Sequence, residues 1–196
     1  MMTHYDYQTP DLPRIDSTAR IPGRDPGPVP LALTDNEWTA LLRVIHSVRD
    51  RTLIVVARSH GLRPAEVGRL RSWDIDLRHR TVRLRGRPVA VVPLLKSECR
   101  ALRQWLPLRP PGCTALFPSR NRHPISRRRL DALMKQYGRE AGIPRAKAHF
   151  GILRATCGIE LAREADESLI CEWLGLRDVR SASVYLGNCR LRGEHA

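Results

Sequence analysis

Three side chains in this sequence stand at places where a surface charge or hydroxyl is not expected. Arg63 lies between an apolar segment and a proline, Arg154 interrupts an apolar helical pattern, and Tyr185 lies near the end of the last predicted helix. Arginine binds phosphate oxygens in pairs and stays charged near neutral pH, so phosphate binding is the chemistry it offers best. Taken one at a time, the three also fit ordinary structural roles, as two ion-paired arginines and one half-buried tyrosine.

The charge of the chain points to a polyanionic partner. Its 196 residues include 34 lysines and arginines against 20 aspartates and glutamates, a formal net charge of +14 and a pI of about 10.8. Such an excess favours nucleic acid as a partner. The excess consists of 31 arginines and only three lysines. The base composition of the genome is an alternative source of the arginine, but it leaves the net charge in place.

Several classes of protein are disfavoured by motifs that the sequence lacks. No run of about 18 uncharged apolar residues predicts a membrane span, and the first residues lack the basic and apolar parts of a secretory signal. Five cysteines without a Cys-x-x-Cys pair indicate reduced thiols in a cytoplasm and no zinc framework. Phosphate-binding loops, dinucleotide-binding glycine motifs and zinc-protease motifs are missing as well, which disfavours nucleotide and zinc hydrolysis.

The chain divides into two regions of different composition. Residues 1–30 hold six of the fifteen prolines and predict a flexible, extended arm, which is either a spacer or a contact to DNA or a partner. Residues 31–196 are assigned to one domain, which opens with a capping box at Thr34-Asp35-Asn36-Glu37. The β-rich runs Thr81–Leu84 and Val89–Val92 predict an antiparallel hairpin.

The rest of the second region follows helical periodicity. Helices are predicted from Thr34 and over 52–59, 64–70, 96–106, 126–141, 152–164, 168–174 and 178–185. The expected fold class is therefore mainly α with one small antiparallel β-hairpin or sheet.

Six short motifs, in the right order, resemble the catalytic domain of the tyrosine recombinase or phage integrase family. The segment Gly61-Leu62-Arg63-Pro64-Ala65-Glu66 is similar to its first arginine box, and Leu153-Arg154-Ala155-Thr156 to its second. Trp173-Leu174-Gly175, with Tyr185 ten positions after the glycine, resembles its end. The other motifs are Leu33-Thr34-Asp35-Asn36-Glu37-Trp38, Val91-Val92-Pro93-Leu94 and Leu116-Phe117-Pro118 with Pro124-Ile125-Ser126. A catalytic domain alone is expected, as in the short Fim-type invertases of that family.

The resemblance implies a specific chemistry. Tyr185 would attack a DNA phosphodiester and form a covalent 3′-phosphotyrosyl link, which conserves the bond energy for rejoining. Arg63 and Arg154 would bind the non-bridging oxygens and offset the charge that grows on the pentacoordinate phosphorus. Glu66 would orient Arg63, or else is simply favoured by the dipole at a helix start. No metal or nucleotide cofactor is implied.

Three assisting positions depart from the family pattern. Arg85 stands where the family has a lysine that protonates the leaving 5′ oxygen, and a guanidinium is a poor proton donor. Gly151 stands where the family has a histidine, and His149 is either its substitute or a surface residue at the helix start. Leu176 replaces a histidine or tryptophan. Because each lost donor costs about 2.7–4 kcal/mol, we expect either attenuated strand cleavage or a catalytically inactive DNA-binding regulator or partner subunit.

Double-stranded DNA is the expected partner, and RNA has little support because aromatic side chains are few. The candidate phosphate contacts precede and open a predicted helix: Arg120, Arg122, Arg127, Arg128 and Arg129. The alternative is a solvated charged face. A phosphate-dominated interface predicts binding that weakens steeply with salt. The resemblance further implies an oligomer assembled on DNA, with or without a partner recombinase, and hence a nucleoid-associated protein of the cytoplasm.

Overall fold

Eight α-helices, three short 3-10 helices and three short strands are present in the part of the chain that the computed structural model describes, residues 30–178 and 180–190. The helices are α1 (Asp35–Val44), α2 (Val48–Ser59), α3 (Pro64–Arg69), α4 (Lys96–Trp105), α5 (Arg127–Glu140), α6 (Gly151–Leu161), α7 (Glu167–Leu174) and α8 (Arg180–Arg190). The strands are β1 (Ile75–Asp76), β2 (Thr81–Arg83) and β3 (Val91–Pro93). The predicted mainly helical fold with a small antiparallel sheet is confirmed, whereas the predicted arm, up to residue 29, lies outside the described residues.

Side-chain caps account for the first helix start. Thr34 Oγ1 accepts a hydrogen bond from Glu37 N at 3.2 Å, and Glu37 Oε2 accepts one from Thr34 N at 2.7 Å. The capping box predicted from the sequence is therefore formed. Lys147 reaches Glu37 with its Nζ 2.8 Å from Oε2 and so ties the start of α1 to the segment before α6.

Helix α2 begins earlier than the sequence suggests. Its predicted start at Thr52 is wrong, since Ser47 caps the helix and Val48 opens it. The charged first turn hid this start, because Asp50 resembles a solvent-facing residue in sequence. In the fold Asp50 is buried and accepts a hydrogen bond from Tyr137 Oη at 2.9 Å.

The three strands pair in the order β1-β2-β3, all antiparallel, with Val82 opposite both Ile75 and Val92. The predicted hairpin is present and β1 extends it. Its second strand begins at Val91, two residues after the predicted start, because Ala90 O accepts a hydrogen bond from Leu84 N and closes the turn. Residues 84–90 therefore form a turn at one end of the sheet.

Two apolar cores lie on either side of α6. The larger core centres on α2, which packs against α4 and α6 and buries Leu53, Ile54, Val56 and Ala57. The smaller core joins α6 to α7 and α8 through Cys157, Ile170, Leu174 and Ala182. Helix α6 is therefore held on both sides, which fixes the direction of any side chain that projects between the two cores.

Helix α8 runs further than predicted and places Tyr185 in its middle. The sequence predicts a helix that ends at Tyr185, but the helix spans Arg180–Arg190. Tyr185 and Leu186 pack on the smaller core together with Ala182, at helical spacings of three and four residues, and this apolar face continues the helix. No helix within the described ranges is long and apolar enough to cross a membrane.

Candidate active site

Arg154 projects from α6 with part of its guanidinium unused. Its Nη1 donates a hydrogen bond to Gly61 O at 2.8 Å, whereas its Nη2 is buried and has no hydrogen-bond partner among the described residues. Burial lowers the pKa of Arg154, the charge of Arg63 acts in the same direction, and Tyr185 acts in the opposite one. Buried N–H groups are rarely left unpaired in folded proteins, so Nη2 of Arg154 is a donor that an acceptor from outside the fold can still use.

Arg63 stands at the start of α3, in a segment whose conformation is restricted by a glycine before it and a proline after it. Gly61 takes a left-handed conformation with φ of +55°, and Pro64 provides the first helical residue. Glu66 Oε2 accepts a hydrogen bond from Arg63 N at 2.6 Å, which caps the helix. The Arg63 side chain is exposed and its Nη1 donates to Gly175 O at 3.3 Å.

Tyr185 reaches the same place from α8. Its ring lies directly on Gly158 of α6, where an added Cβ would come within 2.5 Å of two ring carbons. Gly158 is four residues after Arg154 and therefore lies on the same face of the helix, one turn along. Arg63, Arg154 and Tyr185 thus form one electrostatic cluster: besides burial, the charge of Arg63 lowers the pKa of Arg154, and Tyr185 raises it.

Arg85 does not join this cluster through its hydrogen bonds. Its Nε and Nη2 donate to Asp74 Oδ1 at 3.1 and 2.8 Å, and about half of its side chain is exposed, at 53%. Asp74 itself is buried and caps a short turn through Arg71 N. The role of Arg85 as a substitute for the family lysine stays a prediction.

His149 lies over the glycine that replaces the family histidine. A Cβ built on Gly151 would come within 3.2 Å of His149 Nδ1 and 3.4 Å of its Cε1. The exposed imidazole therefore occupies the space into which a side chain at 151 would project. Leu176, at the third departing position, is half-buried against the smaller core and offers only hydrocarbon.

A buried arginine that the sequence analysis did not single out lies beside the cluster. Arg87 is 7% exposed and donates hydrogen bonds from Nε and Nη2 to Glu66 Oε1 and Oε2, at 2.7 and 2.9 Å. Although burial alone raises the pKa of Glu66, the hydrogen bonds and charge of Arg87 hold it below its usual value. The turn Arg85-Gly86-Arg87-Pro88 gives no signal as to which arginine points inward.

The five candidate DNA contacts lie together on the surface before and at the start of α5. All five are exposed: Arg120, Arg122, Arg127, Arg128 and Arg129. Arg127 approaches a carboxylate, with its Nε 3.9 Å from Asp131 Oδ2. The segment before α5 passes close to α3, since a Cβ on Gly68 would lie 3.4 Å from Ile125 O. The start of α5 is thus a neighbour of the helix that Arg63 opens, and the role of these arginines stays a prediction.

The fold and the cluster together define a tyrosine recombinase catalytic domain. The sequence matches the phage integrase family over residues 32–190, and the chain belongs to that family. It is 33% identical over 165 residues to the type 1 fimbriae regulatory protein FimB of Escherichia coli K12, a match that covers 78% of this chain and 82% of FimB.

Solved structures show the same fold. The crystal structure of XerA recombinase superposes with a TM-score of 0.73 at 24% identity, over 84% of this chain and 61% of XerA. The XerH site-specific recombinase bound to its difH substrate superposes with a TM-score of 0.70 at 21% identity, over 81% of this chain and 51% of XerH. The expected family and fold are therefore confirmed.

Proposed function

We propose that this protein binds duplex DNA and cleaves and rejoins one strand at a specific site, with Tyr185 as the nucleophile. The observation that carries the proposal is the buried, unpartnered Nη2 of Arg154, which lies in one cluster with Arg63 and Tyr185. A phosphate oxygen supplies the acceptor that this donor lacks. Its negative charge also offsets the repulsion between the two guanidinium groups.

The proposed reaction conserves a phosphoester bond. Tyr185 Oη attacks the scissile phosphorus and forms a 3′-phosphotyrosyl bond, while the bond from phosphorus to the 5′ oxygen breaks. The phenol gives up its proton, and the departing oxygen takes one up to become a 5′-hydroxyl. Arg63 and Arg154 bind the non-bridging oxygens as charge accumulates on them. Attack by a 5′-hydroxyl on the phosphotyrosine reverses the step and releases Tyr185.

The proton transfers are the weak part of this site. His149, above Gly151, is the candidate to accept or donate a proton near the phosphate. Arg85 keeps its positive charge but holds its protons too tightly to protonate a leaving oxygen well. We therefore expect cleavage slower than in a site with a full set of assisting groups, and not a loss of DNA binding.

The charge of the protein and the structures that share its fold support duplex DNA as substrate. The net charge is +14, and the XerH structure with this fold is bound to its difH substrate. We also propose that the protein assembles as an oligomer on DNA, and that a partner recombinase supplies cleavage where its own is slow. In that case the protein would be nucleoid-associated.

A nicked suicide substrate tests the proposal. Duplexes that the protein selects from a random library are nicked near the bound centre, so that the cleaved strand end diffuses away and the covalent adduct accumulates. The expected result is an adduct on Tyr185, located by mass spectrometry, which Tyr185→Phe abolishes. Tyr137→Phe, which changes the buried tyrosine of α5, is the matched control and should leave the adduct in place.

The same assay tests Arg63 and Arg154, which together form the proposed phosphate clamp. Arg63→Lys and Arg154→Lys keep the charge but lose the paired donors, so each should slow adduct formation by about 10²–10³. DNA affinity should change much less, because phosphate contacts elsewhere supply most of it. If every selected duplex binds tightly and none forms an adduct, the proposal is wrong.

A non-catalytic DNA-binding regulator or partner subunit is the second candidate. It is favoured by Arg85, which is bound to Asp74, and by the hydrocarbon of Leu176 beside the cluster. This candidate predicts that Tyr185→Phe leaves the biological effect unchanged, whereas the enzyme would lose it.

A further inference from the structure

Arg87 lies in the β2–β3 turn, but its side chain donates hydrogen bonds to residues far from that turn in sequence. Besides the two bonds to Glu66, its Nη1 donates to His60 O at 2.9 Å and to Trp173 O. A guanidinium has five N–H donors, and these four bonds leave only one of them free. Arg87 therefore has little capacity left to bind a phosphate, in contrast to Arg154.

We propose that Arg87 is a positioning residue, which sets the geometry of the phosphate clamp formed by Arg63 and Arg154. This inference rests on the proposed function of that clamp. It assigns Arg87 no contact with DNA; instead, Arg87 acts through the backbone segments and the carboxylate that hold the two arginines.

The first link runs through Glu66 to Arg63. Glu66 Oε2 accepts from Arg87 Nη2 at 2.9 Å and from Arg63 N at 2.6 Å, while Oε1 is occupied by Arg87 Nε at 2.7 Å. The carboxylate is thus oriented by a two-bond fork, and its remaining capacity fixes the backbone from which the Arg63 side chain starts. Losing the fork would leave Glu66 free to rotate and to release that backbone N–H.

The second link runs through two backbone carbonyls. Arg87 binds His60 O, and the next carbonyl, that of Gly61, receives Arg154 Nη1 at 2.8 Å. Arg87 also donates a hydrogen bond to Trp173 O. Two residues further on, Gly175 O accepts a hydrogen bond from Arg63 Nη1 at 3.3 Å. The two carbonyls that Arg87 binds therefore lie one and two residues before the carbonyls that orient the clamp arginines.

Packing around Arg87 supports this arrangement. A Cβ on Gly175 would lie 3.0 Å from Arg87 Cγ and 3.3 Å from its Cδ, so the side chain passes tightly between the turn and the end of α7. The three segments that Arg87 joins are the end of α2, the start of α3 and the end of α7. In the described chain these segments carry Arg63 and the carbonyl partners of both clamp arginines.

Replacing both Arg87 and Glu66 with neutral residues distinguishes an effect on the position of the clamp from an effect on the stability of the fold. Arg87→Met alone would leave a buried, unpaired carboxylate, so the informative variant is Arg87→Met with Glu66→Gln, which removes both charges together. The matched control is Arg58→Met with Glu160→Gln, because Arg58 is equally buried, at 7%, and also pairs with a glutamate. Both double variants are compared with the parent protein by thermal unfolding, by DNA affinity and by adduct formation on the nicked substrate.

The expected result is a cleavage defect confined to one pair. The Arg87 variant should bind DNA within about threefold of the parent, since phosphate contacts elsewhere dominate affinity, and form the adduct at least tenfold more slowly, the range for misplaced catalytic groups. Arg87→Lys as a single variant, in which Glu66 is kept, should be slowed less than the double variant because one charged contact to Glu66 remains. The control pair should keep the parent rate even if it unfolds at lower temperature. Equal rates in the Arg87 variant and the parent would overturn the inference while leaving the proposed function intact.

A second measurement does not depend on cleavage. Inorganic phosphate is titrated into the parent and both double variants while the Nε–Hε NMR signal of Arg154 is followed. The inference predicts at least tenfold weaker phosphate binding in the Arg87 variant, the range expected when a positioned donor is lost. Unchanged binding in that variant contradicts the inference even if the parent protein forms no covalent adduct at all.

Discussion

The ring of Tyr185 rests on the bare backbone of Gly158, in a space that no other residue type leaves open. An added Cβ there would lie 2.5 Å from ring carbons Cδ1 and Cε1 and 2.9 Å from Cζ. The candidate nucleophile is therefore placed by a glycine on the helix that carries Arg154, one turn away from it.

Gly158→Ala tests this relationship. Alanine is favoured over glycine within a helix by about 1 kcal/mol, so the substitution does not weaken α6 itself, but the ring must move away from the position it now holds. We expect adduct formation to fall severely while the fold is retained. Gly68→Ala on α3, where the nearest atom is an ordinary 3.4 Å away, is the control and should leave the adduct unaffected. An undiminished adduct in Gly158→Ala would show that the ring position seen here is not the reactive one.

The position of His149 over Gly151 leads to a second prediction, which concerns the rate of strand cleavage. If His149 substitutes for the family histidine, His149→Ala should slow cleavage by about 10²-fold, the usual contribution of one acid–base group. Adding Gly151→His to that variant should restore most of the rate, because the space is then free for the new side chain. His46→Ala removes another exposed histidine, between α1 and α2, and serves as control. If His149→Ala does not change the cleavage rate, His149 has no part in catalysis and is only a surface residue at the helix start.

The arginines at the start of α5 predict a salt dependence. Replacing Arg127, Arg128 and Arg129 with glutamine should reduce the slope of log affinity against log salt by about 2 to 3, since each lost phosphate contact contributes about 0.9. The matched control replaces Arg78, Arg100 and Arg103 with glutamine. These three arginines line a basic groove of about 470 Å³ between the β1–β2 turn and α4. A slope in the first triple variant equal to that of the parent protein would assign the first cluster to a solvated face.

Tyr137 predicts how stability changes at high pH. Burial and the hydrogen bond to Asp50 raise the pKa of Tyr137 from 10.0 to about 12, so the folded protein holds the phenolic proton more tightly than the unfolded chain does. The resulting stabilisation, about 2 to 3 kcal/mol, is complete below pH 10 and is lost as the pH rises to 12. Urea unfolding at pH 9 and pH 11.5 measures it. Tyr137→Phe should lose most of this pH dependence, and the same steep loss in that variant would refute the assignment.

Much of the local structure could be predicted because it depends on neighbours in sequence. The capping box of Thr34 and Glu37 satisfies two backbone N–H groups within four residues, and Pro64 opens α3 for reasons internal to one turn. The order of the two arginine boxes and Tyr185 likewise identified the family before any contact was known. The predicted start of α2 and the predicted end of α8 were wrong because burial of Asp50 and packing of Tyr185 on the smaller core decide them, and both are properties of the whole fold.

The sequence by itself determined the class of protein, the helices and the hairpin, and which arginines and tyrosine could act on a phosphate. Only the tertiary structure decided which arginine of the β2–β3 turn faces solvent and which is buried. Arg85 and Arg87 are alike in sequence, and each pairs with a carboxylate, Asp74 or Glu66, from a segment 11 or 21 residues earlier. An arginine enters the interior only where a carboxylate and backbone carbonyls together satisfy its donors, and those partners converge only in the folded chain.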